Sequence, residues 1–151
     1  MMVGKKKQTK YKNKPVVFDG HRFDSQDEYH RYLTLKALKE AGIISELEVH
    51  PKYLLQNAFR KCMICRHIQD HIPGSKRKKD VLCELCGGKT VHFDDITYTA
   101  DFRVVYPGDV EEIEDVKGSV AVITQAFLLK RKMFELIYPD KTLKIVFPKG
   151  V

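Results

Sequence analysis

The chain has 151 residues, and its 27 lysine and arginine residues exceed its 20 aspartate and glutamate residues, which gives a formal net charge of +7. No apolar run approaches the roughly 18 residues that cross a bilayer, and no apolar segment follows the basic start as a secretory signal requires. The sequence therefore predicts a cytoplasmic protein with reduced thiols and argues against a membrane protein. The positive charge favours an acidic partner, most commonly nucleic acid. Residues 1–14 are predicted to form a flexible basic arm.

The first third of the chain carries signals for a hairpin, a helix and a bent strand. The segment PVVFDGHRF alternates apolar and polar residues around Asp19-Gly20, which is typical of a two-residue hairpin turn. A helix is predicted to follow, with Ser25 as its N-cap and Gly42 at its end. Residues 45–56 have strand character, but Pro51 indicates an edge position or a bend.

The remaining segments complete a mixed sheet with helices. The predicted elements are a strand over 95–106, a turn at 107–109, an antiparallel return strand over 110–118, a helix over 122–138 and a strand over 142–147. A cysteine-containing segment, residues 59–91, interrupts this pattern and is predicted to be an insertion. The order of elements predicts an α/β or α+β fold, in which helices pack on a β-sheet.

Four cysteines form two Cys-x-x-Cys pairs within the insertion: Cys62, Cys65, Cys83 and Cys86. Two residues between cysteines let both sulfurs of a pair approach one tetrahedral ion, so the spacing predicts a Zn2+ site. Two disulfides or a redox-active pair are the alternatives. Four thiolates leave no open coordination position, so the predicted zinc is structural and does not catalyse.

The same insertion contains a run of basic residues. They are Lys76, Arg77, Lys78 and Lys79, and they are predicted to contact nucleic-acid phosphates. The alternative is that the zinc ribbon only stabilises the edge of the sheet.

Acidic residues recur on the two strands that follow the insertion. Because side chains alternate along a strand, Asp101 is predicted to face away from the main apolar layer. On the return strand, Asp115 and Lys117 share a face by the same period of two. Two nearby carboxylates repel each other unless a cation lies between them, and oxygen ligands suit Mg2+ or Mn2+. The alternative is an exposed cross-strand ion pair.

The order of these residues resembles the PD-(D/E)XK nuclease superfamily, which has a restriction-endonuclease-like core. A helical Glu28 is followed by Asp101 on a strand, then by Asp115-Val116-Lys117 on the next strand and by a helix. More narrowly, the segments ITYTADFRVV and EDVKG resemble a phage-borne family of small resolvase-like endonucleases. Two positions depart from the usual motif, because Ala100 replaces a proline and Asp115 replaces a glutamate.

The resemblance implies a fold, an activity and a set of site residues. Asp101, Asp115 and Glu28 would bind a catalytic Mg2+ or Mn2+, and Lys117 would be the motif lysine. Residues 15–151 would form a restriction-endonuclease-like mixed β-sheet flanked by helices, interrupted by the zinc ribbon. The protein would be a homodimeric DNA endonuclease that acts on Holliday junctions or other branched DNA, in the cytoplasm of a bacterial host. The alternatives are a non-catalytic nucleic-acid-binding zinc protein and a protein-interaction factor.

Two further residue assignments have structural alternatives. Ser25 and Glu28 fit a helix capping box, which would give Glu28 a role in helix stability and not in a metal site. In the last helix, Lys130, Arg131 and Lys132 are predicted to contact nucleic acid, or else to form an ordinary solvated face.

Overall fold

The computed structural model describes residues 14–72 and 81–148. These described residues form a mixed α+β structure, mostly strands with two α-helices, as the sequence predicted at this level. It divides into two compact units. The first unit comprises Met1–Val49, Asp101–Ile123 and Lys144–Val151, and the second comprises His50–Ala100 and Thr124–Leu143. Residues 1–13 of the predicted basic arm (residues 1–14), and Lys76, Arg77, Lys78 and Lys79, lie outside the described residues.

A β-hairpin opens the described part of the first unit. Strands β1 (Val16–Phe18) and β2 (His21–Phe23) are antiparallel. The turn residues Asp19 and Gly20 have φ angles of 55° and 78°. Positive φ at both central residues is the requirement of a type I′ turn, which Asp-Gly satisfies at low cost. The predicted hairpin is confirmed.

Helix α1 (Gln26–Glu40) follows the hairpin with the predicted caps. The Ser25 hydroxyl oxygen accepts a hydrogen bond from the Glu28 backbone N–H at 3.1 Å. Gly42 has a φ of 71°, in the left-handed region that commonly terminates helices. The buried side chains of α1 are Glu28, Tyr32 and Leu35, which recur at helical spacing on one face.

The main sheet of the first unit has four strands: β3 (Glu46–Val49), β9 (Phe102–Tyr106), β10 (Val110–Val116) and β11 (Leu143–Val146). Their order across the sheet is β11-β10-β9-β3. Strand β9 is antiparallel to both β10 and β3. The core beside this sheet consists of Phe23, Tyr32, Leu35, Ile44, Phe102, Val104 and Val116. Aromatic packing joins α1 to β9, since the rings of Tyr32 and Phe102 stack at 6.5 Å.

The prediction of one continuous strand over residues 95–106 is wrong. Two strands occupy this segment, β8 (Ile96–Thr99) in the second unit and β9 in the first. The break follows from a change of backbone partner: Ala100 N donates to Pro51 O, whereas Asp101 N donates to Glu114 O, both at 3.0 Å.

The second unit contains a two-stranded sheet, a helix and the cysteine module. Strand β4 (Lys52–Gln56) pairs with β8, and helix α2 (Gln125–Ile137) begins at the Thr124 cap. The predicted helix start at residue 122 is three residues early, because Val120–Val122 forms a 3-10 turn instead. Four aromatic side chains form the buried centre of this part: Tyr53, Tyr98, Phe127 and Phe134.

The cysteine module is a three-stranded antiparallel sheet. Its strands are β5 (Phe59–Cys62), β6 (Ile68–Asp70) and β7 (Thr90–Phe93), with β5 in the centre. The side chain of Arg60 is buried and donates from Nη1 to Thr90 Oγ1 at 3.1 Å. Phe59 and Phe93 stack at 4.8 Å at one end of the module. No helix in the described part of the chain is long and apolar enough to cross a membrane.

Candidate functional site

The four cysteines lie together at one end of the module. All four sulfur atoms are within 4.8 Å of one another. The Sγ atoms of Cys62 and Cys86 are 3.5 Å apart, and those of Cys65 and Cys83 are 3.6 Å apart. A disulfide requires about 2.05 Å, and all four cysteines are free thiols. Four thiolates at Zn–S distances of about 2.3 Å have sulfur separations near 3.8 Å, so the cluster has the dimensions of a tetrahedral zinc site.

The two cysteine pairs share one backbone geometry. Cys62 N donates to His67 O, and Cys83 N donates to Gly88 O, both at 2.8 Å. The residue after the second cysteine of each pair has positive φ: 64° at Arg66 and 69° at Gly87. The two turns are therefore equivalent knuckles, although only one has glycine at the left-handed position.

Side chains from the first knuckle region hold the second in place. His67 Nε2 lies 2.8 Å from Glu84 Oε1. Gln69 Nε2 donates to Leu82 O at 3.2 Å, and Gln69 Oε1 accepts from Glu84 N at 3.1 Å. His67 thus contacts a carboxylate and stays outside the cysteine cluster.

The thiols differ in their acidity. Burial raises the pKa of Cys62, but the backbone N–H groups of Cys65 and Ile64 lower it more, to about 6. The backbone N–H of His67 lowers the pKa of Cys65, whereas the Cys86 thiol and burial raise it, to about 12. The cluster therefore contains a thiol that is more acidic than an ordinary cysteine.

A second group of chemically active side chains lies in the first unit, around Asp101. Its carboxylate Oδ2 accepts a hydrogen bond from Val116 N at 2.6 Å, which fixes it between β9 and β10. An oxygen of the Glu28 carboxylate lies within 4.8 Å of one of Asp101. Glu28 and Asp101 are therefore neighbours in the first unit.

The Glu28 carboxylate is both a capping group and a neighbour of Asp101. It is 4% exposed, and its Oε2 accepts from Asp24 N at 3.0 Å. A capping box would use the N–H of Ser25, so the contact is displaced by one residue. The sequence treated capping and site membership as alternatives, but this carboxylate both accepts a hydrogen bond at the start of the helix and lies beside Asp101.

Asp115 and Lys117 contact each other through Oδ1 and Nζ. Asp115 is 3% exposed, and the side chain of Lys117 is 21% exposed. Oxygen atoms of Glu28 and Asp101 belong to a set of possible ligand atoms that all lie within 4.8 Å of one another, and this set does not include an oxygen of Asp115. The predicted third acid is therefore buried near the group and ion-paired with the predicted lysine.

The pKa of Asp101 depends on the charges of the three other predicted site residues, Glu28, Asp115 and Lys117. Burial is the main reason that its pKa rises to about 7, and the Asp115 charge raises it further. The Val116 N–H lowers the pKa, Glu28 raises it, and Lys117 lowers it. Functional sites commonly contain a carboxyl group whose charged form is destabilised and which lies beside other acids and a lysine.

Two nearby features were missed by sequence reasoning. Arg31, one turn beyond Glu28 on α1, forms a bidentate ion pair with the fully buried Glu114. Gly118, the residue after Lys117, lies close to Asp27, because a Cβ placed on Gly118 would be only 3.0 Å from Asp27 Oδ2. The lack of a side chain at Gly118 therefore allows this acid to approach closely. Arg31 and Glu114 are 83 residues apart, so no local sequence pattern predicts this contact.

The chain matches the model of a known protein family. A family model described as "Protein of unknown function (DUF1064)" matches residues 8–149. The chain belongs to the DUF1064 family. Neither the curated proteins nor the solved structures contain a match to this DUF1064 chain.

The three basic residues predicted on α2 of the DUF1064 chain have different environments. Lys130 Nζ donates to Thr97 O at 2.8 Å and is partly buried. Arg131 Nε lies 4.0 Å from Glu135 Oε1, and Lys132 is exposed. Of the three side chains, Lys132 is the most available to a partner.

Proposed function

We propose that this protein is a Mg2+- or Mn2+-dependent DNA endonuclease of the PD-(D/E)XK type that hydrolyses phosphodiester bonds. The observation that carries the proposal is the proximity of Glu28 and Asp101, coupled electrostatically to Asp115 and Lys117. The order of α1, β9 and β10 also agrees with the restriction-endonuclease-like core that the sequence resembles.

The donor chemistry of this group fits a hard divalent cation. Carboxylate oxygens are the ligands that Mg2+ prefers, and Glu28 and Asp101 offer two within 4.8 Å. Their mutual repulsion contributes to the raised pKa of Asp101, and a cation would relieve it. Asp115 would join as a third ligand, because its charge already acts on Asp101.

Each residue then has a defined role in phosphodiester hydrolysis. A bound Mg2+ or Mn2+ supplies polarisation of the phosphate and activation of a water molecule. Glu28, Asp101 and Asp115 would hold the cation. The ammonium group of Lys117, which the Asp115 carboxylate positions, stabilises the negative charge that develops on the phosphate.

We further propose that the four cysteines hold a structural Zn2+. Thiolates are soft ligands that suit zinc, and the sulfur separations of 3.5 and 3.6 Å agree with a tetrahedron. A four-thiolate site is closed, so this zinc stabilises the two knuckles and takes no part in hydrolysis.

The proposed substrate is DNA. The net charge of +7 supports an acidic partner, and Lys132 is an exposed cation on α2. Branched DNA such as a Holliday junction, a homodimeric state and a bacterial cytoplasmic location follow from the resemblance to resolvase-like nucleases.

The decisive experiment incubates zinc-loaded protein with labelled four-way junction, duplex and single-stranded DNA. Each DNA is tested with Mg2+, with Mn2+, with Ca2+ and without added divalent cation. Cleavage should require Mg2+ or Mn2+ and should fall at least about 100-fold in Asp115→Asn and in Lys117→Ala, because charge-stabilising groups contribute that much to such reactions. Asp140→Asn is the matched control, since its side chain is 76% exposed and far from the group in sequence.

Two outcomes would overturn the proposal. Cleavage that survives Asp115→Asn and Lys117→Ala would point to a contaminating nuclease. Tight DNA binding without cleavage under any of the metal conditions would identify a non-catalytic nucleic-acid-binding protein instead.

A further inference from the structure

The cysteine module presents an exposed apolar surface at its metal-binding end. Three side chains form this surface, which we call the knuckle tip: Met63, Ile64 and Leu85. They are 66%, 74% and 70% exposed, respectively. All three occupy positions between the paired cysteines, where the chain is constrained by the metal ligands on both sides. Large apolar side chains held in water at a rigid turn are characteristic of a binding surface.

The knuckle tip is held in place by local contacts. Ile64 N donates to Cys62 Sγ at 3.4 Å, and Met63 N donates to Lys89 O at 3.0 Å. The Ile64 side chain covers Gly88, since a Cβ at Gly88 would lie 2.8 Å from Ile64 Cδ1. The apolar surface therefore needs little ordering when a partner binds, and preorganisation of this kind improves affinity.

Charge is distributed unevenly along the module. Lys61, Arg66 and Lys89 lie at the knuckle end, and within the described residues neither Arg66 nor Lys89 forms an ion pair. The acids Asp70 and Asp94 lie at the opposite end of the module. At that end, Phe59 of β5 is the strand partner of Asp70 in β6 and of Phe93 in β7. Glu84, the acid at the knuckle end, contacts His67. The knuckle tip is thus bordered by cations that are free to meet a polyanion.

We propose that the knuckle tip binds unpaired nucleotides of a single-stranded DNA segment. Apolar side chains can pack against the faces of bases, and these faces are accessible where bases are unstacked. Arg66 and Lys89 would contact the flanking phosphates. In a duplex the bases are stacked inside, so the apolar part of the surface would have no partner there. This binding role goes beyond the proposed hydrolysis and does not depend on it.

The experiment measures binding by fluorescence anisotropy with zinc-loaded full-length protein and no other divalent cation. The probes are a dye-labelled single-stranded oligonucleotide of mixed sequence and the duplex made from it. The double substitution Ile64→Ser with Leu85→Ser should weaken single-strand binding by about tenfold or more and change duplex binding by less than about twofold. Leu136→Ser is the matched control, because Leu136 is 81% exposed on α2 and should leave both affinities unchanged.

A second pair of substitutions tests the charged border. Arg66→Gln with Lys89→Gln should reduce the slope of log affinity against log salt by up to about 1.4 on the single strand, because each lost phosphate contact there removes about 0.7. Zinc content and the circular dichroism spectrum of each variant verify that the module is intact, and the charge variants provide the test if the apolar variants lose zinc.

Two binding results would contradict the proposed role of the knuckle tip. If both sets of zinc-loaded variants bind the single strand within about twofold of the unsubstituted protein, the knuckle tip does not bind nucleotides and serves a protein partner or none. A loss that is equal on single strand and duplex would also contradict it. Absence of DNA cleavage would overturn the nuclease proposal alone, because no step of this binding measurement requires hydrolysis.

Discussion

Arg31 and Glu114 form a bidentate ion pair that joins α1 to β10 in the first unit. Arg31 Nε lies 2.8 Å from Glu114 Oε2, and Arg31 Nη2 lies 2.5 Å from Glu114 Oε1. The side chain of Glu114 is fully buried, and that of Arg31 is 21% exposed. Hydrogen bonding to Glu114 raises the pKa of Arg31, so the guanidinium group stays charged. The pair connects the helix that carries Glu28 to the strand that carries Asp115.

Removing one partner of this pair should strongly destabilise the protein. Arg31→Ala leaves a buried carboxylate without its cation, and the expected loss in the free energy of unfolding is about 3 to 5 kcal/mol. The double substitution Arg31→Met with Glu114→Leu removes both charges and should cost much less. Urea denaturation monitored by circular dichroism measures both effects.

The exposed pair of Arg22 and Asp24 provides the control for that experiment. Its side chains are 71% and 85% exposed, so Arg22→Ala should change the free energy of unfolding by less than about 0.5 kcal/mol. A double variant as unstable as Arg31→Ala would show that packing around these side chains matters more than their charges.

Gly88→Ala should weaken zinc binding. A Cβ at this position would lie 2.8 Å from Ile64 Cδ1 and 3.2 Å from Cys62 Sγ, so it crowds a predicted ligand. Displacing a group that supports a metal ligand typically costs 10- to 100-fold in metal affinity, and we expect roughly tenfold here. Competition with a chromophoric zinc chelator measures the affinity.

A Cβ at Gly88 would crowd both Ile64 Cδ1 and Cys62 Sγ, and a second substitution separates these two effects. Ile64→Ala in the Gly88→Ala background removes the clash with Cδ1, so it should recover part of the lost zinc affinity. His67→Ala should retain zinc binding, because its ring contacts Glu84. Unchanged affinity in Gly88→Ala would mean that Cys62 Sγ is not held where the structure has it.

Local chemistry explains which parts of the structure could be predicted. The Asp19-Gly20 turn, the Ser25 cap and the spacing of the cysteines each encode their structure within a few residues. The break between Ala100 and Asp101 is different, because apolar residues keep the same alternation through Tyr98, Ala100 and Phe102. Only the distant backbone partners, Pro51 and Glu114, separate the two strands.

The surroundings of the candidate site show the same limit. Strand alternation placed Asp115 and Lys117 together, and their contact confirms this placement. Alternation also placed Glu114 on the opposite face, but it could not reveal that Glu114 is fully buried, since its partner Arg31 lies 83 residues away. Burial of an acid depends on its counter-charge, which sequence periodicity does not contain.

Asp101 should make the stability of the metal-free protein depend on pH. Its pKa rises from an ordinary 3.8 to about 7 on folding, mainly because of burial. The folded state therefore binds this proton more tightly than the unfolded state, so stability should fall as pH rises from about 4 to about 7 and then level off. The difference is at most about 4 kcal/mol, from roughly 1.4 kcal/mol per pKa unit.

Asp101→Asn isolates this effect. The amide oxygen can still accept from Val116 N, but the group carries no charge. Relative to the unsubstituted protein, the variant should be more stable near pH 8, and its advantage should shrink toward pH 4. Urea titrations at both pH values test this, with Asp140→Asn as an exposed control. A stability difference that is the same at both pH values would show that Asp101 does not titrate in this window.

Lys130 and Lys132 should respond differently to substitution, although both belong to one basic run. Lys130→Met removes the hydrogen bond from Nζ to Thr97 O and should lower the free energy of unfolding by about 1 kcal/mol. Lys132 is exposed, so Lys132→Met should leave stability within about 0.5 kcal/mol. It should instead reduce the salt slope of DNA binding by about one, as expected for a lost phosphate contact. If Lys130→Met reduces that slope equally, its ammonium group must leave Thr97 to meet a phosphate, and the partly buried contact is then a resting position of a DNA-binding side chain.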